Sequence, residues 1–232
     1  MGMDAKFSLS STAALIADPG RAAMLTALLE GRALAAGELA RAANVSPQSA
    51  SMHLAQLLEG GLVKVAQDGR HRYYQITSRE VAHAVEALGA ISTPRKRKPI
   101  GEPDAISYAR TCYDHLAGVI AVSLAESFQH RRFLVAPPDC DREYEVTRAG
   151  EDFLAQWQID VKALRSKKRS LARRCLDWTE RRDHIAGALG AAICQRFLEL
   201  GWITRARNSR IVRVTPSGRR QLEKLIGLPA LA

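Results

Sequence analysis

The stretch VSPQSASMHLAQLLEGGLV, Val45 to Val63, decides how the first part of this chain is read. Ser46 followed by Pro47 is a helix start: a hydroxyl to cap free backbone N–H groups, then a residue whose fixed φ suits the first helical position. Behind it Ala50, Leu54, Leu57 and Leu58 fall on one helical stripe, and Gly60-Gly61 ends the run. The opposite face carries Gln48, Ser49, Met52 and Gln56, with Ser51 and His53 on its flanks. Upstream, PGRAAMLTALLEG from Pro19 and AAGELARAANV predict two further short helices, the first built on Met24, Leu25, Leu28 and Leu29. Downstream the period changes to two. LVKVA, the turn QDGR and HRYYQIT predict a β-hairpin, and SREVAHAVEALGAI a closing helix with Val81, Val85 and Leu88 on one face.

Helix, helix and hairpin in this order make a winged helix-turn-helix. The Ser-rich helix with His-Leu near its middle, its Leu-x-x-Leu-Leu end, the Gly-Leu-Val exit and the wing DGRHRYYQIT resemble the ArsR/SmtB family of bacterial repressors over about residues 10–92. The resemblance implies dimerisation through the first and closing helices of this domain. Two recognition helices would then enter major grooves of double-stranded DNA about 34 Å apart on a palindromic operator. Ser46, Gln48, Ser49, Ser51, Met52 and His53 are the expected base- and phosphate-contacting residues, and Arg70, His71 and Arg72 at the wing tip the expected backbone grip. The chain departs from the family's metal sensors. AAGELARAAN has no cysteine, and the closing helix offers His83 and Glu86 without a second histidine, so His83 reads as helix surface.

Charge is unevenly distributed. The 232 residues carry a formal net charge of +10, yet residues 1–92 hold eight basic and eight acidic residues. Residues 93–103, TPRKRKPIGEP, contribute +3 through Arg95, Lys96, Arg97 and Lys98 against Glu102, which leaves +7 for 104–232. Proline, glycine and like charge mark 93–103 as a linker, either an arm along DNA or a solvated tether. A second basic run, RSKKRSLARR from Arg165 to Arg174, is either a further phosphate grip or a solvated helix face. No apolar stretch approaches the roughly 18 residues needed to span a bilayer, and no secretory leader pattern opens the chain, so a cytoplasmic protein without a membrane partner is expected. Cys112, Cys140, Cys175 and Cys194 are widely spaced and read as free thiols.

Residues 104–232 contain a duplication. DHLAGVIAVSLAESFQHRRFLV, from Asp114, aligns without a gap on DHIAGALGAAICQRFLELGWIT, from Asp183, at an offset of 69. YEVTRAGEDFL from Tyr144 then matches VRVTPSGRRQL from Val212 after one deletion. Each copy, about 112–154 and 181–222, is expected to read helix, strand, turn, strand, then Thr-x-x-Gly opening a helix. Asp114-His115 and Asp183-His184 would sit at helix starts, the Asp capping backbone N–H groups. Cys112, Asp114, His115, Cys175, Asp177, Trp178 and His184 form a candidate effector-binding or thiol-sensing set, with Trp178 as a pocket wall and nearby arginines holding an anion. A metal ion is possible there, but none is assigned. The ungapped alignment puts Arg181 at the place of Cys112, and that asymmetry favours a structural role.

The fold class expected is mainly α with small β-hairpin wings. An N-terminal winged helix-turn-helix (1–92) and a basic linker (93–103) lead to a C-terminal regulatory domain (104–232) of two duplicated winged-helix-like units. The function expected is a homodimeric, sequence-specific transcriptional regulator, a repressor released by a small-molecule, metal or oxidant effector. A ligand-independent architectural DNA binder is the alternative. An enzyme with Cys112 or Cys175 as nucleophile is disfavoured, because no Gly-rich activating loop accompanies either cysteine.

Overall fold

The computed structural model describes residues 9–68, 71–92, 105–138, 140 and 142–227, and the chain divides into two compact units, Met1–Val85 and Glu86–Ala232. In the first, helices α1 (Leu9–Ala17), α2 (Pro19–Leu28), α3 (Ala36–Ala43) and α4 (Pro47–Glu59) precede the hairpin β2 (Val63–Asp68) and β3 (His71–Ile76). Strand β1 (Leu34–Ala35), too short to carry a sequence signal, adds to the free edge of β3 and completes an antiparallel sheet of order β1-β3-β2, in which Tyr74 faces Leu34 on one side and Val65 on the other. Met24, Leu25, Leu28, Leu39, Leu54, Leu57 and Tyr74 form the core. The turn between α3 and α4 rests on Asn44, whose positive φ ends α3, and on Ser46, whose Oγ accepts from Ser49 N at 3.1 Å. Helix α5 (Arg79–Ile91) follows, with Glu86 and later residues counted in the second unit.

The second unit runs α6 (Ala105–Tyr108), hairpin β4 (Arg110–Cys112) and β5 (His115–Ala117), α7 (Val119–His130), hairpin β6 (Leu134–Val135) and β7 (Glu145–Val146), α8 (Arg148–Gln156). The same order then repeats as α9 (Val161–Arg165), β8 (Arg173–Leu176) and β9 (Asp183–Ala186), α10 (Gly187–Glu199), β10 (Ile203–Arg205) and β11 (Val212–Val214), α11 (Pro216–Ile226). Each copy therefore opens with a helix and a hairpin that the sequence pattern did not reveal. The Asp-His pairs are not helix caps: Asp114 lies in the β4–β5 turn, Asp183 opens β9, and the helices begin after Gly118 and at Gly187. The glycines cause this. At φ 88° and 80° they turn the chain sharply from strand to helix, and a Cβ on either would come within 2.5 Å of Ser107 O or 2.7 Å of Ser170 O.

The two copies interlock reciprocally. Arg110 bridges to Ile211 in the second copy, and Arg173 bridges to Glu143 in the first; Val212 N donates to Ala109 O as Tyr144 N donates to Ala172 O. Helix α10 packs on β5, and α7 on β9. Thr147 and Thr215 each accept from the glycine three residues on, Gly150 or Gly218, at 3.1 and 3.0 Å, and so cap α8 and α11. A shared core gathers Phe128, Phe197, Leu124, Leu189, Ile193 and Trp157. No helix among the described residues is long and apolar enough to cross a membrane.

Candidate functional site

The expected DNA-reading residues lie on α4 and the wing. Ala50, Leu54 and Leu57 are sealed in the core, which leaves Gln48, Ser51 and Met52 exposed and Ser49 half-exposed. Met52, at 65 % exposure, is a large apolar side chain held out in solvent. Two hydroxyls already serve the helix: Ser46 Oγ caps Ser49 N, and Ser51 Oγ donates to Pro47 O at 2.9 Å. His53 turns away from that face. Its Nδ1 lies 3.5 Å from Asp18 Oδ1, and its ring fills the space where a side chain on Gly20 would stand. Since Asp18 also caps α2 through Arg21 N, the half-buried His53 ties α4 to α2. Arg72 is exposed one residue pair from the wing's turn, whereas Arg70 and the side chain of His71 fall outside the described residues.

The linker 93–103 also falls outside them. The 165–174 run is neither a continuous helix nor a free basic face, because α9 stops at Arg165. Arg165 pairs with Glu151, Arg169 with Asp114 and Arg174 with Asp183. Lys167, Lys168 and Arg173 remain exposed.

The second unit brings four of the seven candidate effector residues to one point. Cys112 faces His115 across β4–β5, and Cys175 faces His184 across β8–β9. The two hairpins meet so that a ligand atom from each of these four residues lies within 4.8 Å of the others. His115 Nε2 and His184 Nε2 stand 3.2 Å apart. Behind the rings are carboxylates: Asp114 Oδ1 is 3.3 Å from His115 Nδ1, and Asp177 Oδ2 is 3.3 Å from His184 Nδ1, the latter approach being poorly aligned for a hydrogen bond. Cys112, His115 and His184 are buried and Cys175 is half-buried.

The apparent loss of Cys112 in the second copy is corrected by this geometry. Cys112 and Cys175 are 63 residues apart, His115 and His184 69, so the second hairpin turn holds six extra residues between cysteine and histidine. An ungapped alignment anchored on Asp-His slides over that insertion and sets Arg181 against Cys112. Aligning the halves from Ser107 and Ser170, with the gap placed in the turn, restores the pair.

The insertion carries Asp177 and Trp178. Asp177 is fully buried and accepts from Arg110 Nη2 at 2.9 Å, Gly118 N at 2.7 Å and Thr179 Oγ1 at 2.7 Å. Trp178 covers the Arg110 guanidinium, 5.0 Å from ring to charge, and packs beside Gly89. Arg110 itself, 1 % exposed, is a site residue that sequence reasoning missed; Glu86, which the closing helix offered beside His83, is buried and paired with Arg210 at 2.6 Å.

Electrostatics follow from these partners. Burial opposes ionisation of Asp177, but His184, Arg110 and the Gly118 N–H outweigh it and hold the carboxyl well below the usual range. Burial likewise opposes charge on His184, and Asp177 and Cys112 overcome it, raising its pKa. The two thiols act on each other. Cys112 is pushed up to about 11 by its hydrogen bond with Cys175 and by burial, and the same bond lowers Cys175.

A helix-turn-helix domain model matches residues 16–66. An uncharacterized HTH-type transcriptional regulator of Bacillus subtilis (strain 168), YdfF, is 42 % identical over 220 residues, covering 94 % of this chain and 96 % of its own. Among solved structures, the transcriptional repressor BigR of Xylella fastidiosa is 24 % identical, with 38 % of this chain and 88 % of that one covered at a TM-score of 0.35. The homodimeric winged helix-turn-helix domain of Mb0332 from Mycobacterium bovis is 26 % identical, with 36 % and 76 % covered at a TM-score of 0.34.

Proposed function

Since this chain belongs to the family of HTH-type transcriptional regulators, we propose that it is a sequence-specific repressor of the ArsR/SmtB kind, acting in the cytoplasm as a homodimer on a two-fold symmetric operator and released through its second unit. The observation that carries this reading is α4, capped by Ser46 and anchored by Leu54 and Leu57, with Gln48, Ser49 and Met52 presented outward. Gln48 has the amide geometry for bidentate pairing with adenine, and Met52 an apolar surface for a thymine methyl. Exposed apolar residues, Leu9 on α1 and Leu88 on α5, support self-association through each of these helices.

The test is gel retardation with labelled DNA from the chain's own upstream region, with and without competitor, at two salt concentrations. Retardation that survives competitor is expected. Gln48→Ala should weaken operator binding by about 1–3 kcal/mol and relax preference at a base position in each half-site. Binding lost equally to any competitor overturns the repressor reading in favour of an architectural binder.

A further inference from the structure

We propose that Cys112, His115, Cys175 and His184 form a closed four-ligand site for a divalent ion of zinc's class, one that accepts two thiolates and two imidazoles in a tetrahedron. The site lies within the second unit and does not depend on DNA recognition.

The donor set is the first support. Two sulfurs and two nitrogens are the ligands of structural zinc sites, and they disfavour magnesium or calcium, which take oxygen. Distance is the second. With Zn–N bonds of about 2.0–2.1 Å, two tetrahedral nitrogens stand about 3.3 Å apart, and His115 Nε2 and His184 Nε2 stand at 3.2 Å. A hydrogen bond between two neutral rings has the same length, but it would leave the two thiols beside them unexplained. Both Nε2 atoms point inward, with a carboxylate behind each ring: Asp114 is within hydrogen-bond distance of His115 Nδ1, the kind of partner that orients a metal-bound histidine, and Asp177 lies 3.3 Å from His184 Nδ1.

Duplication is the third support. Each copy supplies one cysteine and one histidine from facing positions of one hairpin, and the hairpins belong to halves that bridge each other reciprocally. The ion therefore lies between two equivalent half-sites, and neither half alone has enough ligands. Charge also balances. Two thiolates neutralise the ion, while Asp177 is matched by Arg110 and Asp114 by Arg169. With all four positions taken by protein, no open position remains for substrate, so the ion cross-links the halves and does no chemistry on a bound molecule.

The test uses the full chain, purified, reduced and stripped of metal, titrated anaerobically with Co2+. Expected is one ion per chain, with the strong visible bands of four-coordinate cobalt and a near-ultraviolet thiolate charge-transfer band, both abolished by equimolar Zn2+. Thermal unfolding should shift upward with Zn2+ and return with chelator. Cys175→Ser and His115→Gln should lose the charge-transfer intensity or stoichiometry, while Cys140→Ser and Cys194→Ser keep both. Circular dichroism of each variant separates lost ligation from lost fold. Weak, six-coordinate cobalt spectra for the wild-type chain, or full uptake by Cys175→Ser, would overturn the proposal. So would a wild-type chain that takes up no Co2+ and instead joins Cys112 to Cys175 under mild oxidant, which would make the pair a dithiol switch. A chain that binds Co2+ as expected yet retards no DNA would fail the repressor reading alone.

Discussion

Arg110 shows at the scale of one residue how a buried charge is tolerated. Its guanidinium donates to Asp177, to Ile106 O at 3.1 Å and to Thr179 Oγ1 at 3.3 Å, and Trp178 covers it. Its Nε makes no hydrogen bond and lies 4.0 Å from Glu86, so the charge depends chiefly on Asp177. Removing one partner of a buried pair strands the other, at a cost of about 3–5 kcal/mol, whereas replacing both by apolar groups is often neutral. In urea denaturation with chelator present, Asp177→Ala should lose stability on that scale. Arg110→Met combined with Asp177→Ala should recover most of the loss. A double variant as unstable as the sum of its singles would show that Asp177 stabilises through the Gly118 N–H and the 177–180 turn, not through Arg110.

At the scale of elements, the turn from β5 into α7 rests on Gly118. At φ 88°, with Ser107 O and Tyr108 O against the missing Cβ, alanine brings both left-handed strain and a clash with backbone that cannot swing aside. Gly118→Ala should cost about 2 kcal/mol or more, read as a lower urea midpoint, while Gly61→Ala, with positive φ but open space around it, should cost less. Equal losses would mean that the close packing of Ser107 on Gly118 yields readily. These glycines also explain what was legible in the chain. Helix α4 could be read because its signals, the Ser-Pro start, the leucine stripe and the Gly-Gly stop, are local. The Thr-x-x-Gly caps of α8 and α11 were equally plain. Strands of two to four residues carry no period, so DHLAG and DHIAG, followed by helical runs, read as helix starts. The metal-ligating geometry was hidden for another reason: each cysteine meets its histidine only across a hairpin, and one turn is six residues longer than the other.

For the whole molecule, the distribution of charge separates reading from gripping. The residues through 92 are balanced, eight basic against eight acidic, so the part of the chain that carries α4 has no net charge to draw it to a phosphate lattice. Several of the basic residues beyond it are already engaged. Arg110, Arg165, Arg169, Arg174, Arg182 and Arg210 all face carboxylates, which neutralises them against DNA as well as against each other. Arg95, Lys96, Arg97 and Lys98 lie consecutively, with Glu102 the lone acidic residue of the linker, which makes them the strongest candidates for the missing grip. Each phosphate neutralised contributes about 0.9 to the slope of log K against log salt. Replacing the four with glutamine should therefore flatten that slope by up to about 3.6 and weaken operator and competitor DNA alike, leaving their ratio nearly unchanged, because phosphate contacts carry no sequence information. Gln48→Ala should do the reverse, lowering the ratio and sparing the slope. Equal slopes for the wild-type chain and the linker variant would remove the linker from the interface and place the grip on the wing, on Arg72 and its neighbours.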